Sequence, residues 1–145
     1  VKWNISNMSD LYDVLKERSR KEPFARMLAM EVTEVGDGRA TVRMPVSPEL
    51  ENIFGATHGG ALFSLIDEAF QLACNVHGIL AVALNVSITY VAAPSPGTVL
   101  EAQATETHKT NRTASYLCEI RELEGGRLIA TAQALAYRTG KKIVF

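Results

Sequence analysis

The alternation of apolar and polar residues divides this chain into an early helix, a hairpin, one helix that is apolar all round, and four strands in a row. Residues 9 to 20 put Leu11, Val14 and Leu15 on one face of an amphipathic helix, with Ser9 or Asp10 as its N-cap and Pro23 as the interruption beyond it. Met30 to Val35 and Arg39 to Val46 read as two strands joined at Gly36-Asp37-Gly38, whose small residues suit the positive-φ positions of a hairpin turn. From Ala61 to Val76 the chain is mostly Ala, Leu, Ile, Phe, Val and Cys on every side, the composition of a helix wrapped by other structure, with Gly78 as its C-cap. Strands follow at Leu80 to Val91, Thr98 to Lys109, Thr113 to Leu123 and Leu128 to Arg138, divided by turn residues at 94–97, 110–112 and 124–126. Long strands after one apolar helix most economically form an antiparallel sheet curled around that helix, an α+β fold with the helix as its core. Such a sheet leaves an edge strand open, which favours pairing with a second copy, so a homodimer is expected.

At 145 residues the chain has the length of one domain, read as 1–145 with 1–28 as an N-terminal helical segment. A hydrophobic fraction of 47% and a charged fraction of 21% are those of a soluble globular protein. The net charge of -1 gives no general attraction to nucleic acid or to membranes, and neither is expected as a partner. No apolar run approaches the roughly 20 residues of a membrane span, and the opening residues carry no secretory pattern, so a cytoplasmic protein is expected. Cys74 and Cys118 fit that compartment as buried thiols. His58, His77 and His108 are scattered, with no C-x-x-C or H-x-x-x-H spacing, so no metal site is expected.

Chemistry concentrates where a glycine-marked loop runs into the apolar helix. The segment Asn52-Ile-Phe-Gly55-Ala-Thr-His58-Gly59-Gly60 leads to Asp67 and Glu68 in mid-helix. A buried carboxylate without partners shifts its pKa or acquires hydrogen bonds, so at least one of the two must do chemistry, pair with a charge or face a cleft. They point about 100° apart around the helix and cannot share one cleft; Asp67 is the functional candidate. A helix beginning near Gly59 offers unpaired N–H groups and the positive end of its dipole, and the missing Cβ atoms of Gly59 and Gly60 would let a carbonyl approach. The bland alternatives are that Asp67 hydrogen-bonds Ser64, Gln71 or a facing strand, that His58 is a helix-start residue satisfied by backbone, and that Asn52 is a turn former.

The pattern N-x-x-G-x-x-H-G-G-x(6)-D, with the element order above, resembles the hotdog-fold acyl-CoA thioesterases, most closely the PaaI-type group associated with phenylacetate metabolism. The similarity runs from Pro23-Phe24 and Met30 through the hairpin, the motif loop, Leu84-Asn85-Val86 and Pro94 to Gly126-Arg127-Leu128-Ile129-Ala130. The resemblance implies that Asp67 is nucleophile or general base and that Gly59 offers its backbone N–H to the thioester oxygen. It also implies that Asn52 and His58 shape the pocket and hold the thioester or leaving group. Gly60 is assigned to substrate binding with them. One position departs from the family: relatives carry Ser or Thr in the following strand to position water, and the matching residue here is Ala83. Asn85 or Ser87, two and four residues on and by strand alternation on the same face, are the candidates to replace it.

Thioester hydrolysis needs an oxyanion stabiliser together with a base or an attacking carboxylate. Gly59 and Asp67 lie on roughly one helical face but about 10–12 Å apart along the axis, too far to serve one thioester. Two helices antiparallel across a two-fold axis would bring the Gly59 end of one to Asp67 of the other, so a dimer with shared sites is expected, and a tetramer of such dimers. Coenzyme A, here part of the acyl-CoA substrate, carries phosphates that need a local basic cluster; Lys109 and Arg112 are the candidates, with Arg138, Lys141 and Lys142 second. No further cofactor is expected. Two other readings compete: a hotdog dehydratase or hydratase, and a non-catalytic acyl-CoA-binding sensor or scaffold.

Overall fold

The computed structural model describes residues 7–145, so the first six residues of the N-terminal helical segment lie outside the described residues. Two short helices come first, α1 (Met8–Lys21) and α2 (Pro23–Met27). The hairpin strands β1 (Glu31–Gly36) and β2 (Arg39–Pro45) follow, then the long helix α3 (Gly59–Asn75). Four strands complete the chain: β3 (Ile79–Tyr90), β4 (Val99–Lys109), β5 (Thr113–Glu122) and β6 (Leu128–Lys142). They form one antiparallel sheet in the order β1-β2-β4-β5-β6-β3, curled around α3. Helix wrapped by sheet is the hotdog fold. The predicted elements stand, with informative differences at their ends. Asn7, not Ser9 or Asp10, caps α1, its Oδ1 accepting from the Asp10 N–H at 3.0 Å. Pro23 also does more than interrupt: it opens α2, where its missing N–H has no intrahelical partner to lose.

The concave face of the sheet is lined by alanines, with Ala102, Ala104, Ala114, Ala132, Ala134 and Ala136 all buried. Small residues there let α3 lie close to the strands, while bulk comes from the helix itself through Leu62, Leu65, Ile66 and Phe70. Phe70 meets Tyr116 of β5 edge to face, ring centroids 5.3 Å apart. Gly78, at φ +73, ends the helical turn, and the chain reverses into β3. Asn75 fixes that reversal by accepting from the Ala81 N–H and donating to the Ala81 carbonyl.

Arg127, part of the sequence resemblance, works structurally. Its guanidinium holds both oxygens of Glu122 and also donates to the Ala93 carbonyl, while Glu122 accepts the Ser95 N–H at 2.7 Å. These donors, Arg127 first, hold the Glu122 carboxyl down to about 2. A depressed folded-state pKa contributes stability above the ordinary value of 4.5 and loses it as pH falls from there toward 2. Glu122→Gln is therefore expected to lower the melting temperature at pH 7 and to match wild type near pH 2. Thermal unfolding across pH 2–7 checks this, and an equal loss at both ends would remove the linkage.

Candidate active site

The loop before α3 is held by Asn52. Its Oδ1 accepts the N–H groups of Phe54 at 2.9 Å and Ala56 at 3.2 Å, and its own N–H donates to the Ala56 carbonyl at 2.7 Å. Asn52 thus builds the turn, the bland role its residue type suggests. His58 caps α3: Nδ1 accepts the Gly60 N–H at 2.8 Å, so in that arrangement a neutral ring carries its proton on Nε2. The space left by the missing Cβ atoms is occupied by protein, contrary to the expectation that it admits a substrate carbonyl. A Cβ on Gly59 would lie 3.2 Å from Tyr90 Cζ, and one on Gly60 would lie 3.0 Å from His58 Nδ1. Tyr90 also donates its hydroxyl to the Gly59 carbonyl at 3.1 Å. With Gly60 engaged by His58, the Gly59 N–H is the first helical donor without an acceptor among the described residues.

Asp67 and Glu68 part company as their helical angle requires. Glu68 is buried beneath α1, where Ser19 donates to Oε1 and Gln71 donates to Oε2 at 3.3 Å. Gln71 also donates to Glu22 at 2.8 Å, tying α1 to α3. Asp67 has no hydrogen-bond partner among the described residues. Ser64 instead donates to the Gly60 carbonyl, and Gln71 to the two glutamates. Its carboxylate opens on a cavity of about 430 Å3 bounded by α1, α3 and β3. Asp67 is exposed at the mouth of that cavity, and partial desolvation by the wall, then the charge of Glu22, raises its pKa above the ordinary aspartate value. Cys74 on the same wall is no competing nucleophile, because burial pushes its thiol up to about 12.

Burial, opposed by the Ser19 hydrogen bond and reinforced by the charges of Glu22 and Asp67, pushes Glu68 up to about 7 from 4.5. A carboxyl raised on folding favours the folded state below 4.5 and loses that contribution as pH rises toward 7, on the order of 2–3 kcal/mol. Glu68→Gln keeps an acceptor for Ser19 without the charge. It is expected to raise the melting temperature at pH 8 by roughly 5 °C while changing little at pH 4.5. Thermal melts at both values check this, and an unchanged melting temperature at pH 8 would contradict the buried-charge assignment.

The remaining candidates divide by position. β3 carries an irregularity between Ala83 and Asn85, where Ala83 pairs with Ala136 and Asn85 with Leu135. The extra residue flips the alternation, so Asn85 and Ser87 turn to the convex face, away from α3. Neither stands on the face of Ala83, which lines the Asp67 cavity, and the expectation that one supplies the missing hydroxyl is corrected. Val86, Ile88 and Tyr90 take the inner positions instead. Tyr90, which covers Gly59, is a site residue that counting by twos missed. Lys109 lies beyond the C-terminal end of α3, its Nζ 3.2 Å from His77 Nδ1 and 3.9 Å from Glu106. Arg112, on the adjoining turn, donates to the Tyr137 hydroxyl, and its carbonyl accepts from the Arg138 N–H, which sets the two basic segments side by side in backbone only, since Nε and Nη1 of Arg138 are buried. Within one chain His58 and Gly60 line a different cavity, of about 390 Å3, from the one holding Asp67.

A sheet wrapped on a long helix, with a carboxylate on a cavity and an open helix N-terminus on that helix, places the chain among the hotdog proteins. The chain belongs to the thioesterase superfamily, whose family model matches residues 54–129. It is 36% identical over 96 residues to the acyl-coenzyme A thioesterase PaaI of Escherichia coli, covering 66% of this chain and 69% of that protein. It is 40% identical over 122 residues to a protein of Archaeoglobus fulgidus, covering 84% of this chain and 79% of that one. The solved structure of the E. coli PaaI protein from the phenylacetic acid degradation operon superposes with a TM-score of 0.87 at 29% identity, covering 94% of this chain and 99% of that one. This chain is a thioester hydrolase of the PaaI type. Among the described residues no helix is long and apolar enough to cross a membrane.

Proposed function

We propose that this chain hydrolyses an aryl- or medium-chain acyl-CoA to the free acid and coenzyme A, with Asp67 as nucleophile or general base. The observation that carries this reading is the Asp67 carboxylate, left without a hydrogen bond on the wall of a cavity. As general base it takes a proton from water while the oxygen adds to the thioester carbonyl; as nucleophile it adds directly, and water then hydrolyses the mixed anhydride. In either route charge gathers on the carbonyl oxygen, and this reading assigns its stabilisation to the Gly59 N–H at the positive end of α3, a role supported by that donor having no acceptor among the described residues. Collapse expels the coenzyme A thiolate, which takes up a proton. Nε2–H of His58, without a partner among the described residues, is the candidate donor to the thioester or its leaving group.

Eight residues separate Gly59 from Asp67, about 12 Å of helix, so the oxyanion donor for Asp67 comes from the partner's Gly59. β3 is an edge strand, and its Val82 and Leu84 are 46% and 57% exposed, an apolar margin suited to pairing with a second copy in a dimer. Arg112, which meets a hydroxyl rather than a carboxylate, is the stronger of the two candidate phosphate ligands; Lys109 shares its charge with Glu106. The reading calls for no metal or redox cofactor.

One observation favours a sensor as the second reading. Ala83 gives the cavity no hydroxyl, and Asn85 and Ser87 face away from it. Thiol release from a panel of aryl and aliphatic acyl-CoAs, followed with a sulfhydryl reagent, separates the two. Both cysteines are buried, so the reagent reports released coenzyme A rather than protein thiols. Turnover is expected; binding of the panel without release of thiol would move the chain to the sensor reading.

A further inference from the structure

The open cavity that holds Asp67 is walled on one side by segments outside residues 54–129, the span matched by the thioesterase family model. Its inner wall is helix and sheet within that span, Phe70 of α3 and Leu80 to Ala83 of β3. Its outer wall is Leu15, Arg18 and Ser19 of α1 together with Ile143 and Phe145 after β6. These two outlying segments are joined to each other, for the Arg18 guanidinium lies 4.8 Å over the Phe145 ring. They are also fixed relative to the reacting carboxylate. Ser19 donates to Glu68, the residue after Asp67, and Glu22 accepts from Gln71 one turn further along α3.

Resting on the thioesterase reading above, we propose that α1 and Phe145 form the wall that selects the acyl group, with Leu15 and the Arg18–Phe145 stack setting the depth of the cavity. When the thioester carbonyl is presented to Asp67, one of its two substituents must enter the space beside that carboxylate. The walls decide which. Leu15, Phe70, Leu80, Ile143 and Phe145 offer apolar surface suited to an aryl or alkyl group. The polar lining residues Ser19, Glu22, Gln71 and Asn75 are already engaged with Glu68, with one another or with the Ala81 backbone, and leave little to replace the water of an amide-rich pantetheine arm. The volume of about 430 Å3 lies within the range of small-molecule pockets. Arg18 is the one cation of this wall and has no ion pair among the described residues, so its role is to brace Phe145. Catalysis is thereby placed on the shared helix and selectivity on the segments that flank it.

The test is a selectivity profile. kcat/KM is measured for straight-chain acyl-CoAs of two to twelve carbons and for phenylacetyl-CoA, with wild type, Phe145→Ala, Phe145→Trp and Leu15→Ala. In parallel, binding of S-alkyl-CoA thioethers of the same lengths, which cannot be hydrolysed, is measured by calorimetry. Phe145 is only half-buried, so its variants should fold even if Leu15→Ala does not. Phe145→Ala is expected to raise the ratio of long-chain to short-chain kcat/KM by about tenfold and Phe145→Trp to lower it, since a methylene or two in an apolar pocket is worth that much. The thioether affinities should move in the same sense. Ratios within twofold of wild type in both measurements would overturn the proposal, as would a KM change equal for every chain length, which would put the pantetheine arm in the cavity. Thioether selectivity that follows Phe145 while no thioester is turned over would overturn the hydrolase reading and leave the wall standing.

Discussion

Asp67→Asn is expected to lower kcat by on the order of a hundredfold or more while the protein keeps its fold and its melting temperature. The substitution preserves size and removes the ability to take a proton or attack a carbonyl. A structural carboxylate would betray itself through stability, because its lost hydrogen bonds would have to be replaced. Asp67 has none to lose among the described residues, and its neighbours Glu22 and Glu68 oppose its charge. Neutralising it should therefore leave the melting temperature unchanged or slightly raised. Its raised pKa adds a second signature. Activity requires the ionised form, so the acid limb of kcat/KM lies at higher pH than an ordinary aspartate at 3.8 would give. Glu22→Gln, which removes the charge named after burial as a cause of that shift, should move the limb toward lower pH. Full activity in Asp67→Asn would end the assignment.

The element order and the central role of α3 were legible because the apolar helix and the four strands are long, and long periodic segments outvote local propensity. Asp67 could be chosen over Glu68 from their angle on the helix alone, and the structure separates them accordingly, one on a cavity and one beneath α1. What misled was parity. Counting by twos from Ala83 places Asn85 and Ser87 beside it, and one extra residue in β3 reverses every side chain after that point. The sequence does carry part of the answer. From Leu84 to Tyr90 it alternates, with Leu84, Val86, Ile88 and Tyr90 apolar and Asn85, Ser87 and Thr89 polar, whereas every residue from Ile79 to Leu84 is apolar and marks no phase. Followed backward from Tyr90 rather than forward from Ala83, that alternation would have put Asn85 and Ser87 on the polar face and brought in Tyr90. The cavity wall was not legible for a different reason. Ser19 meeting Glu68 and Arg18 meeting Phe145 join residues 49 or more positions apart, and no local pattern marks which distant pairs will touch.

Subunit sharing makes the other large prediction, because it turns two inactive proteins into an active one. Gly59→Pro removes the proposed oxyanion donor with little violence to the backbone. Proline is favoured at the first helical position, and His58 already has the extended ψ of 134° that a residue before proline requires. The new side chain still meets the Tyr90 ring, where a Cβ would lie 3.2 Å away, so Gly59→Ala is the control that adds the same atom and keeps the N–H. Gly59→Pro is expected to lose on the order of a hundredfold in kcat, and Gly59→Ala far less. Co-expressing Asp67→Asn and Gly59→Pro chains with different tags, and isolating the doubly tagged dimer, should then restore about half of the wild-type activity per dimer. One of its two sites combines an intact Asp67 with an intact partner's Gly59, and the other has neither. The reciprocal experiment removes ambiguity about mixing: a chain carrying both substitutions, paired with wild type, leaves every shared site with one defect and should silence its wild-type partner. A site contained within one chain predicts the reverse in both cases, no recovery from the two single variants and half activity from wild type paired with the double variant.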